Sequence, residues 1–253
     1  MVPFAENTRL VVRHGMTGAT GNIYCGLHEA HEMGFLLHFL RSSDSFLDVG
    51  SNIGTYSILS AGVIGANTEA FEPVPETYLA LQANVEENGL SNRVKLNKAA
   101  VGSEIGQLRF SCDADTMNHA VAEDYLGKAI DVPVMTLDSL SLPTRPTLVK
   151  IDVEGFEYNV LAGGLAYLSS ELVRAIIMET NGCGSRFGRK DADAVALLER
   201  CGFVRIEYDA ITRTLREGSL NSTMNSIFVR DTHEAANRTK SAPIRKLSNG
   251  MSI

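Results

Sequence analysis

Residues 46–57 read FLDVGSNIGTYS, and this stretch decides the fold. Ser45–Val49 (SFLDV) is a short apolar run of strand length, and a helical pattern opens over Thr55–Gly62. Between them Gly50 and Gly54 allow the backbone to pass close to a ligand. The same rhythm runs on through the chain. Thr68–Glu72 (TEAFE) reads as a second strand, Pro75–Asn88 as an amphipathic helix stopped by Gly89, and Val94–Val101 as a third strand. Leu148–Asp152 (LVKID) is a fourth, Phe156–Leu168 the helix after it, and Ala175–Thr180 (AIIMET) a fifth. Asp191–Cys201 is a helix closed by Gly202, and Phe203–Tyr208 and Ser226–Arg230 are two last strands. Strands and helices alternating at this spacing argue for an α/β, doubly wound, mostly parallel sheet with helices on both faces. No clear helix separates the last two strands, so one of them is expected to run antiparallel.

Three regions fall outside this rhythm. Residues 1–44 hold a glycine-rich piece and a helix over Ala30–Arg41. Residues 106–140 form an insertion in the 45–230 domain, with extended pieces at Gln107–Ser111 and Asp131–Thr136. Ligands of open α/β sheets bind at the carboxyl ends of the strands, so both regions are candidate lids. Residues 231–253 are polar, carry four basic residues, and read as a mobile tail.

Composition narrows the function. The chain has 253 residues and a net charge of -7, with no basic stripe in its body, so nucleic acid is a poor partner. No apolar run reaches the roughly 18 residues of a membrane span, and no basic-then-apolar leader is apparent. Cys25, Cys112, Cys183 and Cys201 are scattered, which fits reduced thiols in a cytoplasmic protein. A homo-oligomer is compatible with all of this.

The turn after the first strand carries the chemistry. A dinucleotide fingerprint is G-x-G-x-x-G, and Asn52 stands at its second glycine. Asp48, just before the turn, would repel a pyrophosphate. An acid there suits a cationic ligand such as S-adenosylmethionine, with its ammonium and sulfonium. Glu72 follows Asp48 by 24 residues, at the end of the second strand, where a carboxylate can accept from ribose hydroxyls.

With these residues in place, positions 23–180 resemble the FkbM-type methyltransferases, a branch of the Rossmann-like enzymes that use S-adenosylmethionine. FLDVGSNIGTYS at 46–57, AFEP at 70–73, NVEENGLSNRV at 84–94, KAAVGS at 98–103, VMTLDSL at 134–140 and LVKIDVEGFEYNVLAGG at 148–164 carry the resemblance. It implies a seven-stranded sheet with a reversed last strand, cofactor in the crevice, and methyl transfer to a hydroxyl oxygen of a small molecule, sugar or glycan. Carried over by motif, Asp48, Gly50, Ser51, Asn52 and Gly54 line the methionine end. Glu72, with Pro73 beside it, and Asp152 complete the cofactor site. Tyr24 and Glu29 belong to the N-terminal part of the pattern. Many such enzymes hold adenine with an acid after the third strand; here that place reads Ala99-Ala100-Val101-Gly102.

An alcohol acceptor must lose a proton, which requires a base within hydrogen-bond reach. Lys150 and Asp152 alternate onto one face of the fourth strand, about 6–7 Å apart, and Glu154 follows. Asp152, Glu154 and Glu179 are the candidate catalytic acids, and His119 on the insertion is a candidate base. The alternative for Asp152 is an ion pair with Lys150 that fixes the strand end, and Glu154 can favour the next helix N-terminus. Asp152, Glu179 and Asn181 approximate an oxygen-ligand set for Mg²⁺, but the spacing is loose and no metal is expected. An NAD-type oxidoreductase is disfavoured by Asp48, Asn52 and the lack of a Tyr-x-x-x-Lys pair. A cofactor-binding interaction module without turnover is the other alternative.

Overall fold

The computed structural model describes residues 1–12, 17–112, 119–121, 125–140, 147–218 and 224–253, with 17–19 as backbone alone. β1 (Val2–Pro3) pairs antiparallel with β2 (Arg9–Leu10), and α1 (Thr17–Cys25) and α2 (Ala30–Phe39) follow. Next come β3 (Ser45–Val49), α3 (Thr55–Ile58), β4 (Asn67–Phe71), α4 (Pro75–Glu87) and β5 (Val94–Asn97). β6 (Ala100–Val101), β7 (Gly106–Ser111) and β8 (Ala129–Met135) form a small sheet of order β6-β8-β7. The chain then runs through β9 (Leu148–Ile151), α5 (Glu157–Ala162), α6 (Leu165–Leu168), β10 (Ala175–Glu179) and α7 (Asp191–Arg200). It finishes with β11 (Val204–Asp209), β12 (Thr214–Glu217), β13 (Asn225–Val229) and α8 (Thr232–Lys240).

The large sheet has the order β12-β11-β13-β10-β9-β3-β4-β5. β10, β9, β3, β4 and β5 are parallel, and β13 lies antiparallel between β10 and β11. The reversed last strand is therefore β13. An eighth strand, β12, extends the edge where the sequence suggested only a loop between the last two strands.

Side chains alternate across the sheet because strand periodicity is two. Phe46, Leu148, Ala175 and Ile177 face one core with α2, α3 and α4, while Leu47, Val49, Val149, Ile151, Ile176 and Met178 face a second core under α5–α7. Each fully buried Phe, Leu or Ile contributes about 1.5–3 kcal/mol, so the two faces hold the sheet from both sides. That alternation also fixes the charges. Asp48 shares Phe46's face, Lys150 shares Leu148's, and Asp48 pairs in register with Lys150. Asp152 and Glu179 continue that face two residues past Lys150 and Ile177.

Three elements differ from the sequence expectation. The third strand splits: Val94–Asn97 stays in the large sheet and Ala100–Val101 pairs with β8. The helix expected over 156–168 breaks at Gly163 and Gly164, and position 163 requires glycine, since a Cβ there would lie 2.1 Å from the carbonyl oxygen of Gly102. The tail is ordered: α8 packs on α2, and the Arg238 guanidinium pairs with Asp44 beside the Phe39 ring. Alternating apolar signal is weak in α8, whose buried anchors are only Ala235 and Thr239.

Candidate active site

The turn after β3 is built by backbone hydrogen bonds. Gly50 N and Ser51 N both donate to Phe71 O, at 3.0 and 2.9 Å. Gly50 has φ +80, and a Cβ there would lie 1.7 Å from Asp152 O, so both conformation and contact demand glycine. The Ser51 hydroxyl donates back to Asp48 O and Phe71 O, at 3.1 and 3.0 Å. Asn52 sits at φ 53, and its N–H points at Glu72.

Glu72 is the centre of the crevice. Its Oε2 accepts from Asn52 N at 3.0 Å and its Oε1 from Val74 N at 2.9 Å. Burial pushes the carboxyl up to about 7 against these two donors. Each oxygen retains a second lone pair for a further donor. Around it lies an open crevice of about 640 Å³, continuous with solvent. Its lining is apolar at Ala99, Ala100, Val101, Phe110 and Phe156 and acidic at Asp152 and Glu154.

The acidic end is organised by one buried cation. Lys150 Nζ lies 2.7 Å from Asp152 Oδ2 and 4.6 Å from the centre of the Tyr56 ring. Burial opposes its charge, but the carboxylates of Asp152, Glu29 and Asp48 outweigh that and raise its pKa. Asp48 is 1% exposed. Its Oδ2 accepts from Ser57 Oγ at 2.6 Å, and burial raises its pKa against the pull of Lys150. The N-terminal segment closes this side: Tyr56 donates to Glu29 Oε2 at 2.5 Å and Asn225 Nδ2 to Glu29 Oε1 at 2.7 Å.

Asp152, Glu154 and Glu179 converge, each offering an oxygen within 4.8 Å of the others. Glu154 takes φ 55 to reach this place. Burial, with Asp152 next, raises its pKa, while Arg186 and His119 oppose. Glu179 is pushed up to about 10, first by burial and then by Asp152, Glu154 and Glu157. Its Oε1 accepts from Asn181 Nδ2 at 2.7 Å, and Asn181 Oδ1 accepts from Cys183 N at 2.9 Å.

Of the residues singled out in the sequence, Gly50, Asn52, Glu72, Pro73, Asp152 and Glu154 line the crevice. Asp48, Ser51 and Gly54 lie behind its wall: Asp48 and Ser51 tie the turn together, and Gly54 starts α3. Asp152 does pair with Lys150, as one of its two sequence readings anticipated. His119 is stitched by its backbone to Ser111 on β7, with its charge close enough to act on Glu154. Its neighbours Met117 and Asn118 lie outside the described residues. Tyr24 is exposed, whereas Glu29 is bonded into the site. Sequence reasoning missed Tyr56, Asn225, Phe110 and Phe156, which the fold brings in from α3, β13, the insertion and the turn before α5. The one available signal was an amide in an otherwise buried strand, Asn225 in β13.

Comparison with known proteins agrees with this architecture. The chain is 30% identical over 156 residues to hexuronic acid methyltransferase AglP of Haloferax volcanii, covering 57% of this chain and 59% of that protein. It is 29% identical over 199 residues to 31-O-demethyl-FK506 methyltransferase FkbM of Streptomyces tacrolimicus, covering 65% of this chain and 74% of that one. The crystal structure of Methyltransferase FkbM from Methylobacillus flagellatus KT superposes with a TM-score of 0.52 at 16% identity. That match covers 83% of this chain and 52% of the other, and shows the shared fold. The chain thus spans about three fifths of AglP and about half of the Methylobacillus protein. The family model described as Methyltransferase FkbM domain matches residues 48–205, from the acid before the glycine turn to β11, and the chain belongs to that family.

Proposed function

We propose that the protein is an S-adenosylmethionine-dependent O-methyltransferase acting on a hydroxyl of a sugar, glycan or comparable small molecule. The observation that carries the reading is the lining of one crevice by Glu72, by apolar side chains and by two further acids. A ribose, a purine and a sulfonium cation call for these three kinds of group. When bound, the cofactor supplies a methyl carbon on a leaving group that is already good. Ala99, Ala100, Val101, Phe110 and Phe156 would hold the purine by contact, which answers the missing acid after the third strand. Glu72 would accept from the ribose hydroxyls with its remaining lone pairs. Asp152 and Glu154 favour positive charge and would be the groups within reach of an acceptor's proton. Alignment of the acceptor is the larger contribution, on the order of 7–11 kcal/mol in ideal cases. The hexuronic acid named for the AglP relative supports a sugar acceptor. Four free cysteines support a reducing, cytoplasmic setting, and among the described residues no helix is long and apolar enough to cross a membrane.

Calorimetric titration with S-adenosylmethionine tests the cofactor assignment. One-to-one binding weakened by roughly 1–3 kcal/mol in Glu72→Ala, the cost of a lost charged hydrogen bond, is expected. No heat from folded protein at millimolar cofactor overturns it. Methyl transfer from labelled cofactor to a panel of sugars and uronic acids then tests turnover; tight binding with no acceptor would indicate an interaction module instead.

A further inference from the structure

We infer that Asp152, Glu154 and Glu179 form a binding site for one hard divalent cation, of the Mg²⁺ or Mn²⁺ kind, at the acceptor end of the crevice. The inference deepens the methyltransferase reading and rests on it for the site's purpose, but not for its existence.

Convergence comes first. Each of the three carboxylates presents an oxygen within 4.8 Å of the other two. Oxygens that share one ion at about 2.0–2.6 Å lie within about 4–5 Å of one another. Surface acids also cluster, so convergence alone decides nothing. The second observation concerns Glu179. The residue is 8% exposed, its Oε1 is occupied by Asn181, and its Oε2 is shut off from solvent with no hydrogen-bond partner. A buried carboxylate oxygen left in this way costs a full desolvation penalty, and its carboxylate is one of the three that converge. A cation bound between the three acids would supply the missing partner.

Charge agrees with this occupant. With the ion bound in place of the proton that burial favours on Glu179, three carboxylates carry three negative charges, and Lys150, paired with Asp152 Oδ2, returns one. The remainder matches a divalent ion. Lys150 leaves the other oxygen of Asp152 available, since a carboxylate has two. The donor set is all oxygen, which suits Mg²⁺ and Mn²⁺ over softer metals. The set also differs from the one suggested by sequence spacing. Asn181 commits its amide to Glu179 Oε1 and its carbonyl oxygen to Cys183 N, so it orients a ligand rather than acting as one, and Glu154 takes its place. Two liganding acids, Asp152 and Glu154, also line the crevice, where an ion would polarise an acceptor oxygen and ease the loss of its proton.

The test uses the full chain, stripped of metal, with Mn²⁺ alone as probe and paramagnetic resonance or water-proton relaxation as readout, in the absence of cofactor. One saturable Mn²⁺ per chain is expected, displaced by excess Mg²⁺. Asp152→Asn and Glu179→Gln, which keep side-chain size, should each weaken it by about tenfold or more. Glu104→Gln, at an exposed acid, should not. Circular dichroism and melting confirm that each variant is folded. Absence of saturable binding at millimolar Mn²⁺, or binding unaffected by both substitutions, overturns the site. Titration with S-adenosylmethionine in a chelator separates the two readings. Cofactor binding there, without any Mn²⁺ site, leaves the methyltransferase reading standing and assigns the acids to the sulfonium. Mn²⁺ binding without cofactor binding supports the ion site and fails the other.

Discussion

At the scale of single residues, Gly50 and Glu72 carry the sharpest consequences. Gly50→Ala places a methyl 1.7 Å from Asp152 O at a φ of +80. Backbone must move, since the obstacle is a carbonyl and not a flexible side chain. The expected loss is about 2–4 kcal/mol of stability, in the range of other severe backbone conflicts, read as a lower denaturant midpoint. Glu72 gives a pH dependence. On the proposed reading, ribose hydroxyls would donate to its carboxylate and favour the charged form, so binding would lower a pKa that starts at about 7. Cofactor binding then releases a proton and tightens as pH rises from 6 to 8. Calorimetry in buffers of different ionisation heat checks this, and Glu72→Gln should remove both the proton release and the slope. Both positions were legible in the sequence as crevice residues: a glycine after a strand and an acid at the end of the next one both fall at the carboxyl edge of the sheet, and both line the crevice. Asp48 and Ser51 were equally visible, but a motif cannot say whether a side chain faces the ligand or the backbone behind it. Here Ser51 donates to two carbonyls, while Asp48 faces neither crevice nor solvent and accepts from Ser57.

At the scale of elements, the junction of α2 with β11 is pH-sensitive by construction. Phe35 stacks on Phe39 at 5.0 Å and meets Tyr208 edge-on at 5.3 Å. Below them His38 Nδ1 lies 2.7 Å from the Tyr208 hydroxyl. Burial, then the charges of Arg213, Arg41 and Arg245, lowers the His38 pKa to about 4, with only the backbone of Ile253 opposing. An unfolded histidine titrates near 6.5. The unfolded chain therefore takes up a proton that the native one refuses, and this contribution to stability, complete above 6.5, is lost as pH falls toward 4. His38→Asn, which keeps a polar atom near Nδ1 without titrating, should flatten the stability profile between those limits; an unchanged slope would remove His38 from the account. Strands β3, β9 and β10 were readable from their apolar runs, nearly to the residue. The junction was not, because the partners Phe35 and Tyr208 are far apart in sequence and nothing local announces their pairing. The split of the third strand has a similar cause: the break depends on Val134 and Met135 of β8, far along the chain, capturing Ala100 and Val101.

At the scale of the molecule, the chain closes on itself where its composition suggested a loose end. Residues 231–253 hold little apolar surface, yet every part of the segment is tied down. Asp231 caps α8 through Glu234 N at 2.9 Å, Arg41 donates to Arg238 O at 2.6 Å, and Arg238 itself pairs with Asp44, the residue just before β3. Farther on, Leu247 bridges to Ala5, and Glu6 N donates to Lys246 O at 2.8 Å. The segment thus holds α2 and the β1–β2 hairpin together, and α2 follows directly on Glu29, the residue that reaches Tyr56 and Asn225. Site and tail are linked through one helix. Removing residues 231–253 should uncover α2 and cost several kcal/mol, a fall of roughly 10 °C in Tm for a domain of this size. Cofactor binding should weaken in parallel, because Glu29 loses the support of its helix. Arg238→Met, which keeps the stem over the Phe39 ring but removes the charge next to Asp44, separates the two contributions. A modest fall in Tm with unchanged cofactor affinity would assign Arg238 to stability alone, and an unaltered truncated chain would return the segment to the mobile tail its composition describes.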